Sequence, residues 1–197
     1  MLFYLYRIIT NLLYLPVFFF FYYRYLISKE SSRSIREKFG FYKAKKPEGK
    51  IIWINAVSIG EVLSVLKIVE NIKEKYPNHK ILLTTTTITS ANIVKQRFPK
   101  NVIHQFAPVD IQLVVKKFVD YWNPCIGIFL ESEFWPNLLT YANERQIKLF
   151  SVNTRISRKA FLNWSKFPKS SKKILSSFSA YFAQDFKTAH RLKKLGI

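Results

Sequence analysis

The sequence predicts an α/β domain, a Rossmann-like parallel sheet with helices on both faces, and three observations predict it. Short runs rich in β-branched and aromatic residues recur after residue 50. Between them lie stretches with apolar residues at helical spacing, closed by prolines or opened by capping residues. The two kinds of run alternate, and strand–helix–strand units close as right-handed crossovers of a mainly parallel sheet.

Taken in order, "IIWINAV" reads as the first strand. "GEVLSVLKIVENIKEKYP" reads as one helix, with Val62, Leu66, Val69 and Ile72 on a common face and Pro77 as its stop. "KILLTTTT" is a second strand, and "SANIVKQRF" a helix opened by Ser90. "VIHQFAP" is a third strand, followed by "DIQLVVKKFVDYW", a helix with Asp110 as its expected cap. "PCIGIFLESE" supplies a strand, "FWPNLLTYANERQ" a helix, and "IKLFSVN" another strand. "KFPKSSKKILSSF" reads as a helix, "AYFAQ" as a short strand and "DFKTAHRLKKLGI" as a last helix. The span 51–197 is therefore expected to form one domain.

Residues 1–28 differ in kind. Between Arg7 and Arg24 the chain is uncharged and aromatic-heavy for about 16 residues, slightly short of a straight span, with Asn11 and Pro16 inside it. Tyrosines at both ends suit a membrane–water interface. An N-terminal membrane-associated helix over 1–28 is the expectation, with no cleavage site behind it. Residues 29–50 are basic and close on Pro47-Glu48-Gly49, a juxtamembrane helix and linker whose charge places the domain on the cytoplasmic side.

The 197 residues carry 32 Lys+Arg against 12 Asp+Glu, a formal charge of +20. Such a charge speaks of anionic partners rather than of fold. From Arg155 to Lys194 there are eleven Lys or Arg against one acid, Asp185. An anionic membrane surface or a phosphorylated ligand answers that excess. A nucleic acid does so only by charge, since no RNA- or DNA-binding signature accompanies it, and no nucleic-acid partner is expected. The single Cys125 excludes a disulfide framework and a cysteine-rich zinc site, and is expected as a small buried hydrophobe. His79, His104 and His190 lack metal-ligand spacing, so no metal and no resident cofactor are expected.

In an open parallel sheet, ligands bind outside the carboxyl ends of the strands. Ser58, Gly60 and Glu61 follow the first strand, Glu131 to Glu133 the fourth, and Asn153, Arg155 and Ser157 the fifth. There is no G-x-G-x-x-G, no phosphate-binding P-loop and no G-x-S-x-G elbow. That leaves the carboxylates. Glu61, with Gly60 leaving room for a close approach, suits a general base. The bland alternative is an acid stabilising a helix N-terminus. Glu131 would lie beside it, on a neighbouring strand.

"WINAVSIGEV", "LESEFWPNLL", "SVNTRISRKAF" and "AQDFKTAHRLKKLG" together resemble blocks in the amino-terminal half of the 3-deoxy-D-manno-octulosonic acid (Kdo) transferases. "SIREKFGFY" after a hydrophobic segment is similar too. The resemblance implies an inverting glycosyltransferase of two Rossmann-like domains at the cytoplasmic face of the inner membrane. It would move Kdo from CMP-Kdo to the lipid A precursor, with Glu61 as general base and Glu131 as transition-state stabiliser. Ser58, Gly60 and Arg155 are the expected acceptor-binding residues. Asn55 stands where that family usually has histidine. The chain stops at Ile197, where the family's interdomain region begins, so the CMP-binding carboxyl-terminal domain is expected to be missing. A catalytically silent half that only binds acceptor or membrane is the alternative, as is a basic membrane-tethered module.

Overall fold

A computed structural model describes residues 2–197. Six strands form a single sheet: β1 (Ile51–Asn55), β2 (Lys80–Thr85), β3 (Val102–Phe106), β4 (Ile126–Leu130), β5 (Lys148–Thr154) and β6 (Phe178–Ala183). Their order is β3-β2-β1-β4-β5-β6, and every pairing is parallel. This is the doubly wound Rossmann order, in which the direction of winding reverses between β1 and β4.

The first strand shows why the sheet is covered on both sides. All five of its residues are buried, and they alternate between two cores. Ile51 and Trp53 join Phe118, Phe129 and Leu139 on one face; Ile52 and Ile54 join Val62, Val69 and Leu83 on the other. Gly127 sits where the first core is tightest. A Cβ there would stand 2.7 Å from Leu149 Cδ2 and 3.3 Å from Trp53, so any side chain at this position would force Leu149 to move.

Around the sheet lie α3 (Ser32–Lys38), α4 (Ile59–Ser64), α5 (Leu66–Lys75), α6 (Ile88–Arg97), α7 (Gln112–Trp122), α8 (Pro136–Glu144), α9 (Arg158–Ser165), α10 (Pro168–Leu175) and α11 (Phe186–Lys194). Four expectations need correction. The helix after β1 is two helices divided at Val65, where the Ser64 hydroxyl donates back to the Glu61 carbonyl at 2.7 Å. The cap of α6 is Thr87, whose hydroxyl accepts the Ser90 amide at 3.1 Å. Asp110 does not cap α7, which starts from Ile111 without a side-chain cap. Its carboxylate instead accepts the amides of Asn137 and Leu138, at 3.0 and 2.8 Å, and caps α8. Cys125 is exposed rather than buried, its thiol donating to the Ile51 carbonyl.

The single helix expected over 1–28 is a bent pair, α1 (Leu2–Leu12) and α2 (Tyr14–Leu26), inclined by 55° about Leu13. Met1 of that segment lies outside the described residues. Pro16 explains the break: it brings no amide to the ladder, and its ring crowds the carbonyl of Leu12. Among the described residues no single helix is long and apolar enough to cross a membrane, though the bent pair together passes by length and composition. The two helices behave differently. Phe3 of α1 is 3% exposed within the main core, while α2 has no buried residue.

Candidate active site

The carboxyl edge at the β1/β4 reversal gathers three loops. From β1 the chain runs through Ala56 and Val57 into Ser58, the cap of α4, whose hydroxyl accepts the Glu61 amide at 3.2 Å. Glu61 then turns back, and its Oε2 accepts the Val57 amide at 3.0 Å. This is close to a capping box, so the bland role expected of an acid here is physically present. That bond engages Oε2, and the Ser58 hydroxyl and amide also lie against the carboxylate.

The Glu61 side chain is 5% exposed. Burial raises its carboxyl above the ordinary value, opposed by the Val57 and Ser58 hydrogen bonds and reinforced by the charge of Glu131. Beside it, Ser58 and Gly60 are exposed, and a Cβ built on Gly60 meets nothing within 4 Å. No packing constraint of the protein itself asks for glycine there; the space lies open to a ligand.

Three hydroxyls fix this loop from the β2 side. Thr86 donates to the Val57 carbonyl at 3.1 Å and Ser90 to the same oxygen at 3.4 Å. Thr84 lies deeper, accepting the Trp53 indole at 2.8 Å and donating to Asn55 Oδ1 at 2.8 Å. The threonine run thus does more than favour a strand. Its sequence signal was only β-propensity, because the partners lie on another strand.

β4 delivers Glu131 in the left-handed region, φ 55°, and the neighbouring β5 delivers Asn153 at φ 56°. The Glu131 amide donates to the Val152 carbonyl at 2.9 Å, tying the strand ends together. Ser132 donates its hydroxyl to the Arg155 carbonyl, which stitches the β4 loop to the β5 loop. The Arg155 side chain is exposed and has no hydrogen bond or ion pair among the described residues. Glu133 is the half-buried third acid. Burial raises its carboxyl, the Trp135 indole N–H opposes this, and the charges of Glu61 and Glu131 add to it. Glu61, Glu131 and Glu133 therefore share one electrostatic environment across the winding reversal. Arg155 belongs to the same edge, one strand further on.

Among the described residues no group of three or more His, Cys, Asp or Glu is placed to hold a metal ion. His104 is pushed down to about 3 by burial and by Arg33, so it is neutral and packs in β3. A cluster of carboxylates with exposed hydroxyls and a free guanidinium can accept a proton from a hydroxyl and bind an anion, without a nucleophilic residue of its own.

The fold is similar to that of a Listeria monocytogenes crystal structure assigned as a UDP-N-acetylglucosamine 2-epimerase. It superposes with a TM-score of 0.53 at 11% identity over 76% of this chain and 42% of that one, a likeness of fold alone. Sequence similarity goes further. The 3-deoxy-D-manno-octulosonic acid transferase of Rickettsia bellii is 36% identical over 194 residues, 98% of this chain and 46% of that protein. The enzyme of the same name from Haemophilus influenzae is 31% identical over 175 residues, 87% of this chain and 41% of the relative. The chain thus spans less than half the length of these two curated relatives. The family model described as 3-deoxy-D-manno-octulosonic-acid transferase (kdotransferase) matches residues 33–197, and the chain belongs to that family.

Proposed function

We propose that this chain is the acceptor-binding, base-carrying half of an inverting glycosyltransferase that transfers Kdo from CMP-Kdo to the lipid A precursor, a phosphorylated and acylated glucosamine disaccharide. The observation that carries the reading is Glu61: a buried carboxylate of raised proton affinity at the winding reversal, one oxygen held by the Val57 amide.

In this reading the acceptor hydroxyl approaches over Gly60 and gives its proton to Glu61 as its oxygen attacks the anomeric carbon. The new carbon–oxygen bond forms on the face opposite the departing CMP, whose phosphate takes the electron pair of the bond that breaks. Inversion needs that opposed geometry, as water attack does in inverting glycosidases. Positive charge growing on the sugar ring is stabilised by a nearby anion, the role given to Glu131. Ser58 and Arg155 bind the acceptor, Arg155 through a phosphate. The donor is held by a carboxyl-terminal domain of the whole enzyme, and no metal or resident cofactor enters the scheme.

The enzyme works at the cytoplasmic face of the inner membrane. Support comes from the exposed apolar rows of α1 and α2, including Leu12, Leu15 and Phe19, and from the +20 charge. The test is transfer to acceptor by this chain with the carboxyl-terminal half supplied, comparing Glu61 with Glu61→Gln. Loss of transfer with retained acceptor binding supports the base; near-full transfer in the variant overturns it.

A further inference from the structure

Strand β5 carries an extra residue just before its end. Val152 pairs with Phe182 and Thr154 with Ala183, so Asn153 has no partner on β6 and forms a bulge. Bulges are uncommon in parallel pairs and recur beside active sites, where they re-aim a side chain. On its other flank β5 keeps register with β4 up to the pair Leu130 and Val152. The next residue of each strand, Glu131 and Asn153, then enters the left-handed region at φ 55° and 56°. Two neighbouring strands thus leave the sheet at one level by the same rare turn, and such turns cluster where ligands are held.

Hydroxyl groups hold the bulge in place. Ser151 and Thr154, both fully buried, have their hydroxyls 2.6 Å apart across it, and Ser151 also donates to the Glu131 carbonyl at 3.3 Å. The Asn153 carboxamide takes part in neither bond, and the residue is exposed at the edge that carries Glu131 and Arg155. Asparagine enters the left-handed region more readily than most side chains, but glycine does so at still less cost. Backbone conformation alone therefore does not call for a carboxamide. Along this edge Glu131 and Glu133 offer only acceptors and Arg155 only donors, each with a charge. Asn153 adds a neutral group able to do both, which suits a neutral polar group of a ligand.

We propose that Asn153 reads the acylated amino group of the acceptor sugar, its Oδ1 accepting the amide N–H. The assignment rests on the transferase reading for the identity of the sugar, and on the bulge for the placement of the carboxamide. A site that accepts that N–H discriminates against an acceptor with an oxygen in its place, because the Asn153 oxygen then faces an ester oxygen that carries no proton. Asn153 is thereby a specificity-determining residue, held by the same hydroxyls as the turn that bears Glu131.

Titration calorimetry on the full chain tests it, with bis-phosphorylated glucosamine disaccharides carrying short N-acyl chains and matched disaccharides with O-acyl esters at the same carbons. The wild type should bind the amide about tenfold more tightly than the ester. Asn153→Gly, which keeps the left-handed turn, should lose that preference, the amide weakening to the level of the ester. Asn153→Asp, which keeps an acceptor oxygen and also tolerates the turn, should weaken both ligands through its added charge yet retain the preference. A wild type indifferent to amide and ester, a Gly variant that still prefers the amide, or an Asp variant that loses the preference would each overturn the pairing. None of these readouts involves sugar transfer. A wild type that binds the disaccharides without preference leaves the acceptor reading standing; one that binds neither sinks that reading along with the pairing.

Discussion

Tyr6 donates its hydroxyl to Asp110 at 2.8 Å across 104 positions of sequence. The same carboxylate accepts the Asn137 and Leu138 amides, so one acid both caps α8 and fastens α1 to the domain. Arg7 reinforces the joint through Glu144 at 2.8 Å and Thr140 at 3.2 Å. Since α8 begins three residues after Glu133, the joint also fixes one end of the loop that carries the acids.

Asp110→Ala should therefore lower stability by about 2–3 kcal/mol, the sum of a lost cap and of donors left buried. Tyr6→Phe should cost about 1 kcal/mol, a single hydrogen bond. Urea unfolding of the three proteins measures both. A cost for Asp110→Ala no larger than that of Tyr6→Phe would mean that water replaces the cap.

For Glu61 the two roles separate by pH. Its folded pKa is raised above the ordinary 4.5, so the stability it contributes is fully present below that value and is lost as pH rises through the folded pKa. Glu61→Gln removes this loss while Gln can still accept the Val57 amide. The variant should gain stability relative to wild type between acid and neutral pH, yet lose transfer by roughly 10²–10⁴-fold. The wild-type rate should fall on the acid side with a midpoint above 4.5. A variant destabilised at neutral pH would reduce Glu61 to a cap.

Arg155 is free at its guanidinium while its carbonyl is held by Ser132. Arg155→Ala keeps that backbone tie. It should weaken a bis-phosphorylated acceptor by about 1.5–3 kcal/mol and barely change a dephosphorylated one. Equal weakening of both, read by titration calorimetry, would make the residue structural.

Membrane attachment is better tested by substitution than by removing residues 1–28, because Phe3, Tyr6 and Arg7 are built into the domain. Leu15, Phe19 and Tyr23 are each about 60% exposed. Replacing all three with Ser should abolish sedimentation with vesicles and leave the unfolding midpoint in place. Lys169 and Lys172 are the cations to change for salt-dependent binding to anionic vesicles. Lys173 is engaged, its Nζ lying 4.6 Å from the Tyr4 ring centre and 3.2 Å from the Tyr4 hydroxyl. Retention of the triple variant on neutral vesicles would place the attachment elsewhere.

Much of this was legible in the residues. Strand order of appearance, helix alternation and the carboxyl-end position of Ser58, Gly60, Glu61, Glu131 and Arg155 follow from local periodicity, which is a property of neighbours in sequence. Part of what escaped depends on distant partners. Asp110 looks like the cap of the helix it precedes, and only the folded chain brings the Asn137 and Leu138 amides to it. Helix α9 carried no strong start signal beyond Ser157, whose hydroxyl accepts the Ala160 amide at 3.1 Å. Cys125 departs from expectation because the strand it precedes is largely buried, while its own position at the mouth of β4 is not. Glu133 and Trp135 gave no separate signal next to Glu131, since their pairing is an orientation rather than a pattern.

The joint between α1 and the rest of the domain also bears on the order of events during synthesis. Residues 2–12 leave the ribosome well ahead of their partners Asp110, Asn137, Thr140 and Glu144, which follow more than a hundred residues later. At about 5–20 residues/s, on the order of ten seconds pass before those partners have been made. During that interval its apolar side, Phe3 included, needs a bilayer or a chaperone to cover it. A helix made before its partners is then among the last to reach its native place.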